Sequence, residues 1–181
     1  MRVCGIDPGT TRSGVAFLVD GIFLEGMSLY EQPDGNGDRI VHWFRRFSGL
    51  VRQWRPDVII YEDYVWQGEA RTTANAPLMW QQLGAIRLLA TVSPYPNVIA
   101  AHPREWREQL LGSLPHGATA QDAAVAWTLR QRLGAAVRTP VCGNDSHWYD
   151  ALGVALTWWD TYIMLGHVKA QTQVCVPTPG K

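Results

Sequence analysis

The continuous apolar run Val58-Ile59-Ile60-Tyr61 constrains the fold of this chain more than any other feature. A strand with one solvent-exposed face alternates apolar and polar residues, whereas an unbroken run of apolar residues is typical of a strand that is buried on both faces. Such a strand lies in the centre of a sheet that has helices on each side. The run therefore predicts the α/β class.

The other segments agree with that class. Apolar runs bounded by turn residues predict strands over 2–7, 13–20, 22–30 and 97–101. Apolar residues at three- and four-residue spacing, with Pro and polar caps at the ends, predict helices over 38–54, 77–92, from Pro103, over 119–133 and over 146–164. We expect one domain over 1–168, with a mixed sheet, and a disordered tail over 169–181.

Composition excludes several other classes of protein. The chain has 181 residues, 46% of them hydrophobic, which suits one globular domain. No apolar stretch approaches the roughly 20 residues of a membrane span, and no signal peptide precedes the first strand. The odd set of Cys4, Cys142 and Cys175 contains no CxxC pair, so neither a disulfide framework nor a zinc ribbon is indicated. A reducing cytoplasm fits best.

The charge distribution bears on whether the partner is a nucleic acid. A net charge of +0 argues mildly against one, because phosphate binding normally uses surplus cations. Nearly all the positive charge is nevertheless arginine, whose planar guanidinium binds phosphate with two hydrogen bonds better than lysine does. Arginines cluster in two places, at Arg45, Arg46, Arg52 and Arg55 and at Arg104 and Arg107. Each cluster also fits a solvated helix face, and this interpretation suits the first cluster better than the second.

Three acidic residues lie at positions that predict chemistry. Asp7 and Glu62 each end an apolar strand, and Asp150 lies one helical turn after His147 in the last helix. A buried carboxylate is costly unless a positive group pairs with it, so three such groups suggest a shared divalent cation. Asp63 points to the other face of its strand because side chains alternate. The pattern indicates a metal-dependent nuclease.

Further motifs make the pattern specific. They are Gly5-Ile6-Asp7-Pro8-Gly9 with Gly14 downstream, Glu62, Leu83-Gly84-Ala85-Ile86-Arg87, Pro103-Arg104-Glu105-Trp106-Arg107 and His147-Trp148-Tyr149-Asp150-Ala151-Leu152. Over about residues 2 to 160 the chain resembles the RuvC family of Holliday-junction resolvases, within the RNase H-like nuclease superfamily. The resemblance implies an RNase H-like α/β fold, a mixed five-stranded sheet with helices on both faces.

The resemblance also implies a reaction. Asp7, Glu62, His147 and Asp150 match the four metal-site positions of the family, where the histidine position is acidic in some members. They would hold two ions, Mg²⁺ or Mn²⁺, with Asp7 bridging both, for phosphodiester hydrolysis. The imidazole of His147 suits Mn²⁺ better than Mg²⁺. The substrate would be a branched DNA, the four-way junction, cut symmetrically in pairs.

Contacts to DNA are expected from the same resemblance. Trp66 is the candidate for stacking on an unpaired base, although a place in the core is the alternative. Arg71, in a segment without periodicity, and Arg104 are candidates for binding phosphate. Of two lysines that the family carries, the first position is Arg107 here, which keeps the charge. The second is Gln121, which loses it, and leaves His116 as a speculative replacement.

Two symmetric cuts imply a C2 homodimer, and the seam would be the helix that carries the apolar residues Leu78, Met79, Leu83, Ile86, Leu89 and Ala90. An RNase H-like or YqgF-type nuclease that acts on RNA or on other branched nucleic acids remains an alternative. An actin-like ATP-binding module needs a second domain, for which the length leaves no room. A catalytically dead interaction domain would not need the four ligand residues.

Overall fold

The computed structural model describes residues 1–9, 11–30, 38–63, 76–89, 91, 97–134 and 146–173. These ranges contain five strands, β1 (Arg2–Asp7), β2 (Arg12–Val19), β3 (Ile22–Tyr30), β4 (Val58–Glu62) and β5 (Asn97–Ala101). They also contain five helices, α1 (Arg39–Trp54), α2 (Ala76–Leu89), α3 (Pro103–Leu111), α4 (Ala118–Leu133) and α5 (Ser146–Gln173).

The strands form one mixed sheet in the order β3-β2-β1-β4-β5. The first three pair antiparallel as a meander, while β4 lies parallel to β1 and β5 lies parallel to β4. The carboxyl ends of β1, β4 and β5 therefore meet at the same edge of the sheet. Asp7 and Glu62 both lie at that edge, and the predicted mixed five-stranded sheet is confirmed.

Helices cover both faces of the sheet, as the run in β4 predicts. Val58 and Ile60 pack with α3, α4 and α5, whereas Ile59 and Tyr61 pack with α1 and α2. Side chains alternate along a strand, so Glu62 shares the face of Val58 and Ile60. Parity in β1 likewise places Asp7 on the face of Val3, which belongs to the α5 side. Both carboxylates therefore point towards α5.

Glycines allow α5 to lie directly on the sheet. A Cβ atom on Gly5 would collide with the carbonyl oxygen of Ala151, and one on Gly14 would collide with the carbonyl oxygen of His147. The backbone of α5 thus rests against β1 and β2 where no side chain intervenes. This close approach brings the first turn of α5 to the end of β1, beside Asp7.

The last helix is longer than predicted. The sequence pattern predicts an end at about residue 164, but α5 continues to Gln173, into the first part of the segment 169–181 that is predicted to be disordered. Residues 165–173 contain no proline, and alanine, glutamine and lysine favour a helix there. The structure does not describe residues 174–181. Within the described residues, no helix combines the length and the hydropathy that crossing a bilayer requires.

Candidate active site

The first pair in the site joins the end of β1 to the first turn of α5. Asp7 is 7% exposed, and its Oδ2 accepts a hydrogen bond from Nδ1 of His147 at 2.6 Å. This hydrogen bond raises the pKa of His147 above its usual value, against the opposing effect of burial, and the charges of Asp7, Asp150 and Glu62 act in the same direction. The pair therefore holds the imidazole at the edge where the strands end.

The second group is centred on Arg107 of α3. Its Nη2 lies 3.2 Å from Oδ2 of Asp150, 3.8 Å from Oε2 of Glu62 and 3.9 Å from Oδ1 of Asp122. The side chains of Glu62, Asp150 and Arg107 are 15%, 8% and 18% exposed, so water screens these charges only in part. Arg107 thus supplies a positive charge to carboxylates from β4, α4 and α5.

The two buried carboxylates are nonetheless hard to ionise. Burial, followed by the charges of Asp7 and Asp150, raises the pKa of Glu62 to about 8, although Arg107 and a hydrogen bond from Trp106 oppose the shift. Burial and the charge of Asp7 raise the pKa of Asp150 to about 7. The ionised forms of both carboxyl groups are therefore disfavoured in this site, and a further cation beside them would stabilise those forms.

Arg107 itself is incompletely satisfied. Burial lowers its pKa, but Asp150, Glu62 and Asp122 outweigh that effect, so the pKa of the guanidinium stays above its usual value. Within the described part of the chain, its buried Nε–H group has no hydrogen-bond acceptor. A buried donor without an acceptor costs about 1–3 kcal/mol. An oxygen ligand that reached this donor would remove the cost.

Trp106 is a site residue to which the sequence analysis assigns no role. Its Nε1 donates a hydrogen bond to Oε2 of Glu62 at 2.9 Å, and its ring lies 5.0 Å from the guanidinium carbon of Arg107. Gly153 of α5 leaves space for the indole, because a Cβ atom there would collide with the ring. The motif that contains Trp106 is visible in the sequence, but the partner of the indole is set by how α3 packs on α5.

The remaining predicted residues fall into separate places. Arg104 is exposed and pairs with Glu108 at 2.7 Å, and no contact joins it to the site carboxylates within the described residues. Gln121 donates to the carbonyl oxygen of Pro115 at 3.1 Å. Asp63 meets Arg87 at 3.3 Å on the other side of β4, as strand alternation predicts. Trp66 and Arg71 lie outside the described residues.

The predicted seam helix, α2, has one face in the core. Leu83, Ile86 and Leu89 are buried against the sheet, and these three residues are therefore committed to the interior of the protomer. Trp80 and Leu88 are 48% and 59% exposed on the other side. The exposed apolar surface of α2 is thus narrower than the sequence pattern alone indicates.

The donor chemistry of the site suits a hard divalent cation. Carboxylate oxygens from Asp7, Glu62 and Asp150 converge on one edge, and His147 adds a nitrogen. Among the residues that the structure describes, no three His, Cys, Asp or Glu side chains are placed to hold one ion as they stand. Glu62 and Asp150 instead turn towards Arg107. The residues fit a metal site by type and location, and Arg107 contacts two of the carboxylates that would bind the metal.

No family model matches the chain, but named proteins and solved structures do resemble it. The crossover junction endodeoxyribonuclease RuvC of Synechococcus sp. is 26% identical over 164 residues, which cover 88% of this chain and 98% of the relative. That of Caulobacter vibrioides is 27% identical over 86% of this chain and 88% of its own length. The chain is therefore similar to RuvC proteins over most of its length.

Solved structures of RuvC share the architecture. RuvC of Thermus thermophilus superposes with a TM-score of 0.66 at 26% identity, over 92% of this chain and 97% of that one. The same protein in complex with a Holliday junction substrate gives a TM-score of 0.67 at 24% identity, over 90% and 96% of the two chains. The RNase H-like fold predicted from the sequence is therefore confirmed across nearly the whole chain.

Proposed function

We propose that this protein belongs to the RuvC family and is a crossover junction endodeoxyribonuclease, which cuts four-way DNA junctions by metal-dependent hydrolysis of phosphodiester bonds. The observation that carries the proposal is the meeting of Asp7, Glu62 and Asp150 at one edge of the sheet, where His147 contacts Asp7 and Arg107 contacts the other two carboxylates. Its relatives in Synechococcus and Caulobacter bear the name of this activity. The domain that performs it spans residues 1–168.

Asp7, Glu62, His147 and Asp150 would hold two ions, Mg²⁺ or Mn²⁺. Such ions, when bound, polarise the scissile phosphate and activate water. The support from this chain is electrostatic, since burial and the nearby charge of Asp7 raise the pKa values of Glu62 and Asp150, and a bound cation would stabilise their ionised forms. The imidazole of His147 is oriented for its place by the hydrogen bond to Asp7.

Arg107 has two tasks in this proposal. It favours the ionised forms of Glu62 and Asp150, because its guanidinium lies beside both carboxylates. Its buried Nε–H group, which has no acceptor among the described residues, is a donor for a phosphate oxygen that reaches the same edge. Arg107 therefore takes the role that resemblance assigns to a family lysine.

The symmetric substrate calls for two copies of the site, and we propose a homodimer joined through α2, where Trp80 and Leu88 are exposed. Trp66, Arg71 and Arg104 remain predicted DNA contacts, and a cytoplasmic location is part of the same proposal. A monomer in sedimentation at the concentration that supports cleavage would contradict the dimer.

The decisive experiment compares a labelled four-way DNA junction, a matched linear duplex and an RNA–DNA hybrid, in Mg²⁺ and in Mn²⁺. Wild type should nick only the junction, in symmetric pairs. Asp7→Asn should abolish the nicks, whereas Asp63→Asn is the matched control, because Asp63 faces Arg87 outside the site. Cutting of the hybrid with the junction intact would favour the RNA-directed alternative. Absence of any metal-dependent cutting would refute the mechanism.

A further inference from the structure

The charge of α1 is unlike that of the rest of the chain. Its 16 residues contain four arginines and one histidine but no acidic residue, while the whole chain has a net charge of +0. Trp43, Phe47 and Val51 anchor the other side of the helix in the core. The positive charge is therefore confined to the outer face of α1, which we call the arginine face: Arg39, Arg45, Arg46 and Arg52, with Arg55 at the C-cap.

Three residues of the arginine face lack the ion pairs that arginines make elsewhere in the described chain. Arg87 pairs with Asp63, and Arg132 pairs with Asp160 at 2.8 Å. By contrast, Arg45, Arg52 and Arg55 are exposed, and no ion pair joins them to another described residue. Among the described residues, therefore, no carboxylate neutralises these three charges.

Helix stability explains the charge of α1 only at its ends. Asp38 caps the N-terminus, and Arg52 lies in the last turn, where the helix dipole favours a positive charge. The dipole does not favour Arg39 in the first turn, and it gives no reason for Arg45 and Arg46 in the middle of the helix. A partner that carries regularly spaced negative charge would neutralise such a face.

The dimensions of the face suit a nucleic acid. Arg45 and Arg52 are seven residues apart, which is about 10 Å along a helix axis, and Arg39 to Arg52 spans about 20 Å. Double-stranded DNA offers one phosphate for about every 1.7 Å of its axis, so several phosphates lie within that length. Arginine forks bind phosphate oxygens in pairs of hydrogen bonds.

Hydrogen bonds connect α1 to the edge of the sheet that carries the candidate active site. Nε1 of Trp43 donates a hydrogen bond to Oγ of Ser13 at 3.0 Å, and the same oxygen accepts the N–H group of Gly9 at 3.3 Å. Gly9 follows Asp7 by two residues, so α1 has a fixed position relative to the candidate active site. DNA that leaves this edge along α1 would meet the arginine face.

We propose that the arginine face of α1 binds the phosphate backbone of a DNA arm, outside the site that cuts the junction. The inference rests on the proposed function and adds to it a second DNA contact, on the face of the sheet opposite α5. Binding there is independent of base sequence and sensitive to salt, because it uses phosphates alone. A neutral chain can bind DNA in this way because its positive charge is concentrated.

The test measures junction binding by fluorescence anisotropy in an Asp7→Asn background, which prevents cutting, from about 50 to 300 mM salt, roughly the range in which such contacts weaken. The double variant Arg45→Gln/Arg52→Gln should lower affinity about tenfold and reduce the slope of log K against log salt by about 2. Arg132→Gln, which removes a charge from α4, is the control and should change neither beyond about twofold. Thermal melting should show that both variants stay folded, since the altered side chains are exposed.

The outcomes separate this inference from the proposed function. If the double variant behaves like Arg132→Gln while wild type binds and cuts the junction, the arginine face is a solvated surface and the inference is overturned. If wild type neither binds nor cuts the junction, the proposed function itself fails. In protein that keeps Asp7, the enzyme concentration that gives half-maximal cleavage should be about tenfold higher for the double variant than for wild type.

Discussion

Neutralising Glu62 should stabilise the metal-free protein, and the effect should depend on pH. The pKa of this buried carboxyl rises from 4.5 to about 8 in the fold, mainly because of burial and the nearby charge of Asp7. At about 1.36 kcal/mol for each pH unit, ionising Glu62 at pH 8 costs about 4 kcal/mol of folding free energy. The substitution Glu62→Gln would avoid that cost, and the amide would still offer an oxygen to the indole of Trp106.

The direction follows from proton binding. Below pH 4.5 the carboxyl is protonated in both states, so it costs nothing. Between that pH and about 8 the folded state binds more protons than the unfolded state, and the free energy of unfolding of wild type therefore falls as pH rises. Urea denaturation with excess chelator should show Glu62→Gln more stable than wild type by about 4 kcal/mol at pH 8, but by less than about 1 kcal/mol at pH 5.

Two controls sharpen the measurement. Asp63→Asn changes the neighbouring acid, which faces Arg87, and should not show the same pH dependence. Adding Mn²⁺ at pH 8 should stabilise wild type much more than Glu62→Gln, because ligand binding to the folded state adds to its stability. The reasoning would be refuted by a Glu62→Gln variant that is equally or less stable than wild type at pH 8 without metal.

Other residues give predictions that can be checked separately. Mn²⁺ should support at least as much junction cleavage as Mg²⁺, because His147 offers an imidazole; an enzyme active only with Mg²⁺ would count against His147 as a ligand. Trp66→Ala should remove a base-stacking interaction worth about 1–3 kcal/mol and so reduce the distortion of the bound junction, with the melting temperature of the protein unchanged. Fluorescence energy transfer between the junction arms measures the distortion. A large drop in melting temperature would place Trp66 in the core. Gly5→Ala should lower stability by more than about 3 kcal/mol, since the added Cβ meets the carbonyl oxygen of Ala151, whereas Gly84→Ala in open space should be neutral or stabilising by up to about 1 kcal/mol.

Local sequence specified most of the elements and the direction of two carboxylates. The strand predicted over 97–101 is Asn97–Ala101, and the run at 58–61 is the core of β4. Strand parity alone separates Glu62 from Asp63, because adjacent side chains point to opposite faces. The sequence pattern does not mark the end of α5, because the last residues of this helix favour helical structure but carry no apolar periodicity.

By itself, therefore, the sequence determined the α/β class, the central covered strand and the places of Asp7 and Glu62 at strand ends, since each depends on local periodicity or on a motif. Only the tertiary structure decided which groups surround those acids. Arg107 reaches Asp150 and Glu62, and Trp106 reaches Glu62, because α3 packs beside α5 where Gly153 leaves room for an indole. Contacts between residues so distant along the chain depend on the packing of whole elements, which no local pattern encodes.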